Sequence, residues 1–132
     1  MKKIDHIGIA VKDIEVSNKL FESLLGVSAY KQEEVQNESV LTSFFKNDSC
    51  KIELLAAIQE DSVIAEFIEK KGEGIHHIAF EVESIPDELE RLKAEGFVVL
   101  NEIPKKGADN KLVVFLHPKS TNGVLIELCQ SL

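Results

Sequence analysis

Residues 5–11 read DHIGIAV, and residues 76–82 repeat the pattern as HHIAFEV. A second pair of segments follows in the same order, since KIELL at 51–55 returns as LIELC at 125–129. Repetition at a nearly fixed spacing is the mark of one supersecondary unit that is used more than once. The sequence therefore predicts an internally duplicated fold.

The two halves predict the same order of elements, a strand, a helix and three further strands. We therefore predict an α+β fold in which two paired βαβββ modules form a curved mixed sheet around a metal-binding cavity. Module 1 spans about 1–57, a connector helix about 58–74, and module 2 about 75–132. At 132 residues the chain has the length of a single domain.

Local signals support this division. Asp13 is a predicted N-cap, and Gly26 is the predicted stop of the helix that follows. That helix has apolar residues for a buried stripe at Ile14, Leu20, Phe21, Leu24 and Leu25. In the second half Ser84 takes the place of Asp13 as the predicted cap. Strands are predicted at about 3–11, 27–34, 39–46, 50–56, 75–83, 97–101, 111–117 and 123–129.

Four polar residues stand at matched places in the duplicated strands. His6 and His77 are 71 positions apart, and Glu53 and Glu127 are 74 apart. Strand side chains alternate between faces, so the Ile, Val and Phe neighbours of these residues turn toward the helices. The four polar side chains should then face one cavity. A buried glutamate is costly without a partner or a cation, so the pattern predicts a shared metal ion.

The residue types narrow the choice of ion. Two imidazoles and two carboxylates suit a borderline divalent ion such as Co, Mn, Ni, Fe or Zn, and the sequence does not select among them. Four protein ligands around an octahedral ion leave two positions for water or substrate oxygen. Open positions are typical of a catalytic site rather than a structural one.

Composition excludes several classes of partner. The net charge of −8 argues against nonspecific nucleic-acid binding, which needs a basic face. No apolar run approaches the ~20 residues that span a bilayer, so no membrane segment is expected. Two cysteines, Cys50 and Cys129, are too few for a disulfide scaffold, and we predict a cytoplasmic protein. Three lysines lie in predicted loops, namely Lys105, Lys106 and Lys119. We interpret them as solvated surface residues, and the alternative is that they bind an anionic small ligand.

Two further histidines receive structural interpretations. His76 has the wrong strand parity to face the cavity beside His77, so we interpret it as a structural or supporting residue. His117 precedes Pro118 and is interpreted as a loop residue, with a substrate contact as the minority alternative.

Six segments resemble the vicinal-oxygen-chelate superfamily, the glyoxalase/bleomycin resistance/dioxygenase group that includes glyoxalase I. Within it the chain is most similar to the methylmalonyl-CoA epimerase branch. The segments cover the chain in order, and the most specific are GIHHIAF at 74–80 and the run from HPKS to GVLIE. The six segments are IDHIGIA at 4–10, KIELL at 51–55, DSVIA at 61–65, GEGIHHIAF at 72–80, FLHPKS at 115–120 and GVLIEL at 123–128.

The resemblance implies a function. It places the family's metal ligands at His6, Glu53, His77 and Glu127. It implies a homodimer that epimerises a small acyl-thioester, methylmalonyl-CoA, by removing the α-proton through a metal-stabilised enolate. Glu127 and Glu53 are the expected acid–base residues. The second base stays open between Glu53 and a bound water, because Thr42 stands where some epimerases carry a glutamate.

Two alternatives remain at this point. The first is a glyoxalase I-type lactoylglutathione lyase, which isomerises the hemithioacetal of methylglyoxal and a thiol with a matching set of ligands. The second is a non-catalytic protein that sequesters a ligand, as the antibiotic-resistance members of the superfamily do. The intact ligand set argues against the second alternative.

Overall fold

A computed structural model describes residues 1–132, which form eight strands and three α-helices. This confirms the predicted α+β class. The helices are α1 (Ile14–Leu25), α2 (Val63–Lys71) and α3 (Ile85–Ala94). The strands are β1 (Lys3–Ala10), β2 (Lys31–Val35), β3 (Val40–Asn47), β4 (Cys50–Ala57), β5 (Gly74–Glu81), β6 (Lys105–Lys106), β7 (Lys111–Leu116) and β8 (Ile126–Ser131).

The chain divides into two compact units. The N-terminal unit is His6–His76, and the C-terminal unit combines Met1–Asp5 with His77–Leu132. In the N-terminal unit the strand order is β2-β3-β4-β1, with β1 and β4 parallel and the other neighbours antiparallel. In the C-terminal unit the order is β6-β7-β8-β5, with β5 and β8 parallel. The two units therefore share one topology.

Helix α1 covers one face of the N-terminal unit. Asp13 caps it by accepting from the backbone N–H groups of Glu15 and Val16, and Gly26 ends it with φ 74°. Both features are as predicted. The helix buries Ile14, Phe21 and Leu25 against a core whose buried members are Val11, Phe45, Leu54 and Ala56.

The predicted stripe of α1 is partly wrong. Leu20 and Leu24 are 62% and 70% exposed, whereas the small polar residue Ser17 is buried. The reason is the helical period, because positions 14, 17, 21 and 25 follow one face and positions 16, 20 and 24 follow another. Val16, Leu20 and Leu24 consequently form an exposed apolar row.

Helix α3 has the same role in the C-terminal unit. The Ser84 hydroxyl accepts a hydrogen bond from the backbone of Asp87 at the helix start, and Pro86 lies in the first turn. The helix buries Leu89 and Leu92. They belong to a core that also contains Val82, Ile85, Val114, Leu116 and Leu128. The predicted helix-side face is confirmed for Ile9, Val11 and Ile52 in the core under α1, and for Phe80, Val82 and Ile126 in the core under α3.

The predicted strand at 97–101 is wrong. Val99 makes only an isolated bridge with Leu116, and the strand that pairs with β7 on the side away from β8 is β6, a few residues later. The Asn101 side-chain oxygen accepts the backbone N–H of Phe115 at 3.1 Å. A side chain thus takes a position that a strand carbonyl would fill, and continuous pairing ends there.

Two further predictions concern composition. Cys50 lies on β4 and Cys129 on β8, and Cys129 is buried, as expected for small strand residues. None of the three helices combines the length and the apolar character needed to cross a bilayer.

Candidate metal centre

In the N-terminal unit, the parallel strands β1 and β4 bring His6 and Glu53 together. His6 Nδ1 lies 3.2 Å from Glu53 Oε2, and both side chains are buried. The register places Gly8 directly opposite Glu53, so His6 lies two residues before the opposing position. The imidazole and the carboxylate therefore lie on the same face of the sheet, as the alternation of side chains requires.

The C-terminal unit repeats this arrangement. His77 Nε2 lies 3.2 Å from Glu127 Oε1, and both side chains are again buried. Ala79 is directly opposite Glu127, so His77 also lies two residues before the opposing position. The duplication thus extends from sequence to strand register. It yields one buried His–Glu pair in each unit, on strands that correspond.

An aromatic residue stands opposite each glutamate, a feature that the sequence reasoning missed. Phe44 pairs with Glu53, and Phe115 pairs with Glu127. The Phe115 ring meets the His77 imidazole edge to face with 6.0 Å between centroids, a contact that limits rotation of the imidazole. The spacing of 71 between Phe44 and Phe115 equals that of the histidines, so the repeat contained a signal for this pair.

A buried lysine was also missed. Lys111 Nζ lies 3.0 Å from Asp5 Oδ1 and 3.8 Å from Glu81 Oε1 in the C-terminal unit. Lys111 is opposite Ser131, and Phe115 opposite Glu127, so Lys111 shares the face of Glu127 by strand alternation. Nothing local in the sequence indicates this pairing, because Asp5 and Lys111 are 106 positions apart.

The donor atoms of both pairs fit a divalent metal. Imidazole nitrogen and carboxylate oxygen are ligands that borderline divalent ions accept. A buried carboxylate is costly unless it is hydrogen-bonded, protonated or bound to a cation. His6 with Glu53, and His77 with Glu127, each supply one nitrogen and one carboxylate in a buried position. Each pair therefore offers two of the four ligands predicted for the metal ion.

The other polar residues lie elsewhere, as interpreted from the sequence. His76 is half-buried and meets the Phe67 ring edge to face at 4.9 Å, which suits a structural role. His117 begins a short turn in which its Nδ1 accepts from the backbone of Lys119 at 3.1 Å, so it is a loop residue. The lysines considered for an anionic ligand are exposed, namely Lys105, Lys106 and Lys119.

Residues 5–115 match the sequence profile of the Glyoxalase/Bleomycin resistance protein/Dioxygenase superfamily. The chain belongs to this superfamily. The match begins next to His6 and ends at Phe115 in β7, so it includes His6, Glu53 and His77 but not Glu127. The family resemblance inferred from the repeated segments is confirmed, together with the glyoxalase-like fold.

Several relatives of the chain are epimerases by name. The ethylmalonyl-CoA/methylmalonyl-CoA epimerase of Cereibacter sphaeroides is 42% identical over 130 residues, which are 97% of this chain and 97% of that protein. The mitochondrial methylmalonyl-CoA epimerase of Homo sapiens is 37% identical over 98% of this chain and 74% of its own length. A Streptomyces coelicolor methylmalonyl-CoA epimerase, solved with 2-nitronate-propionyl-CoA, superposes with a TM-score of 0.92 at 31% identity, covering 99% and 98% of the two chains.

Proposed function

We propose that this chain is a metal-dependent methylmalonyl-CoA epimerase, an enzyme that inverts the α carbon of a small CoA thioester. The observation that carries the proposal is the pair of buried His–Glu contacts in equivalent register, His6 with Glu53 and His77 with Glu127. Similarity to named epimerases over nearly the whole chain supports the choice of substrate.

We propose that the four side chains bind one divalent ion, Co, Mn, Ni, Fe or Zn. The equivalence of the two pairs supports a shared ion, because a duplicated fold brings equivalent residues into equivalent roles. The ion, when bound, supplies Lewis-acid stabilisation of the negative charge that develops as the α-proton leaves. The protein contributes the ligands, their burial and the aromatic residues opposite both glutamates.

The glutamates are the proposed acid–base residues. Epimerisation requires that a proton be removed from one face of the α carbon and that a proton be returned to the other. A general acid–base group contributes about 10²–10⁴-fold to such a step. Glu127 is the proposed base on one side. Glu53, from the equivalent strand of the other unit, is the proposed group on the opposite side, with a bound water as the alternative.

The activity is tested by NMR of methylmalonyl-CoA in deuterated water with the purified protein and Co²⁺. We expect rapid deuteration of the α carbon, and we expect it to stop after chelation and to return when Co²⁺ is restored. Turnover of the methylglyoxal–glutathione adduct without α-exchange would instead identify lactoylglutathione lyase activity. A folded protein that gains no ion and exchanges no proton would indicate ligand sequestration.

We further propose a cytoplasmic homodimer. Two cysteines, Cys50 and Cys129, are too few for a disulfide scaffold, which suits a reducing compartment. The exposed apolar row of Val16, Leu20 and Leu24 is the surface that we propose for self-association, since contiguous exposed apolar residues mark interaction sites.

Leu24→Glu tests the proposed dimer surface. We expect light scattering after size exclusion to give a dimer mass for the wild type and a monomer mass for Leu24→Glu, because a buried charge would be introduced at the interface. Ile103→Glu is the matched control, since Ile103 is an exposed apolar residue of the other unit. A monomeric wild type would refute the dimer.

A further inference from the structure

Thr42 has a buried hydroxyl group for which the structure provides no hydrogen-bond partner. The residue is 1% exposed and lies on β3 directly opposite Leu55 of β4. Leu55 lies two residues after Glu53 on the same strand, so Thr42 points to the face that holds His6 and Glu53. Buried hydroxyls are nearly always hydrogen-bonded, and leaving one unpaired costs about 1–3 kcal/mol.

The duplicated half shows that packing does not require this hydroxyl. The spacing of 71 makes Val113 the counterpart of Thr42, and Val113 lies opposite Cys129 as Thr42 lies opposite Leu55. Val113 is buried in an apolar cluster with Ala79 and Cys129. A valine therefore fills the equivalent position of the same topology. The hydroxyl of Thr42 adds a polar atom at a place where the fold itself accepts a methyl group.

We propose that the Thr42 hydroxyl binds the substrate, an inference that rests on the proposed function. It donates a hydrogen bond to an oxygen of the acyl group, either the free carboxylate or the thioester carbonyl. A threonine hydroxyl is far too weak a base to remove the α-proton, so its role is to hold the acyl group beside Glu53. This assigns Thr42 to substrate recognition rather than to proton transfer.

The neighbouring strand β2 is the edge strand of the sheet and lies beside Thr42. Glu33 of β2 lies directly opposite Thr42 on the outer side, and its side chain is 35% exposed. Its carboxylate lies 3.7 Å from Lys31 Nζ, which is the distance of a loose surface pair. Glu33 is therefore the partly exposed, charged neighbour of Thr42 on the edge strand of the sheet.

The test is the affinity of Thr42→Val for malonyl-CoA, measured by isothermal titration with metal-free and Co²⁺-loaded protein. We expect a dissociation constant about 10-fold or more above that of the wild type if the acceptor is the carboxylate. Thr42→Ser, which keeps the hydroxyl, is expected to restore most of the affinity. Propionyl-CoA lacks the carboxylate, so unchanged propionyl-CoA affinity in Thr42→Val assigns the bond to the carboxylate, and weakened affinity assigns it to the thioester.

Ser43→Ala is the matched control. Ser43 also has a buried hydroxyl without a partner, but it lies opposite Leu54, on the face that packs against α1. We expect no change in affinity for this variant. The Thr42→Val variant should be at least as stable as the wild type, because it removes an unpaired polar atom without changing shape.

The outcomes separate this inference from the proposed function. Wild-type exchange of the α-proton together with unchanged affinity of Thr42→Val for both thioesters would refute the role of Thr42 and leave the epimerase intact. A wild type that binds neither thioester would refute the proposed function, and the role of Thr42 with it.

Discussion

The double variant Glu53→Gln, Glu127→Gln is expected to lose α-proton exchange by at least about 10³-fold. The amide matches the carboxylate in shape but neither accepts a proton nor returns one, and each general acid–base group is worth about 10²–10⁴-fold. Both glutamates are buried and contact a histidine at 3.2 Å, so the substitution leaves neutral groups in place of the carboxylates. The measurement is deuterium incorporation at the α carbon by NMR, beside metal content by atomic absorption.

Loss of metal must be separated from loss of the base. The rate is therefore compared at Co²⁺ concentrations that fully load each variant. Glu34→Gln is the control, since Glu34 is an exposed glutamate on β2 that belongs to neither His–Glu pair. Exchange that persists at the wild-type rate in the loaded double variant would rule out the two-carboxylate mechanism. The single variants then show which glutamate dominates, and their effects need not add.

Lys111→Met is expected to destabilise the protein by about 3–5 kcal/mol, because removing one partner of a buried ion pair leaves the other charge buried. Asp5 and Lys111 are 2% and 8% exposed, and their charged atoms are 3.0 Å apart. Glu81 lies 3.8 Å from the same ammonium group, so the variant also deprives a second carboxylate of a nearby cation. Urea unfolding followed by circular dichroism measures the change in the free energy of unfolding.

An exposed ion pair provides the comparison. Lys93 binds Glu102 at the surface, with both side chains substantially exposed, so Lys93→Met should cost at most about 1 kcal/mol. The double variant Asp5→Asn, Lys111→Met should recover part of the loss, since it removes both charges of the pair. Equal losses for Lys111→Met and Lys93→Met would show that Asp5 and Lys111 contribute little to stability.

Much of the fold could be predicted because its signals are local. The helix ends depend on a few adjacent residues. The N-caps Asp13 and Ser84 and the terminating glycine Gly26 all act as predicted. The strand at 97–101 failed because the Asn101 side chain replaces a strand carbonyl at the backbone of Phe115. An Asn in a β-branched run gives no warning of that distant acceptor role.

The candidate site also has features that the sequence predicted and features that it did not. Strand alternation predicted that His6 and Glu53 share a face, and that His77 and Glu127 do so too. This could be predicted because the direction of a strand side chain depends only on its position in a two-residue repeat. Their joint role as ligands of one metal stays a prediction. The unpaired hydroxyl of Thr42 was invisible in sequence, since a threonine in a strand is ordinary until its surroundings are known.

The sequence by itself determined the duplication, the face that each strand residue occupies and the residue types available for a metal. These follow from chain periodicity, which is a property of neighbouring residues. Only the tertiary structure decided the partners, which are the contact of Lys111 with Asp5, the exposure of Leu20 and Leu24, and the lack of a partner for Thr42. The physical reason is that partners depend on strand register and helix rotation, which bring together residues far apart in the chain.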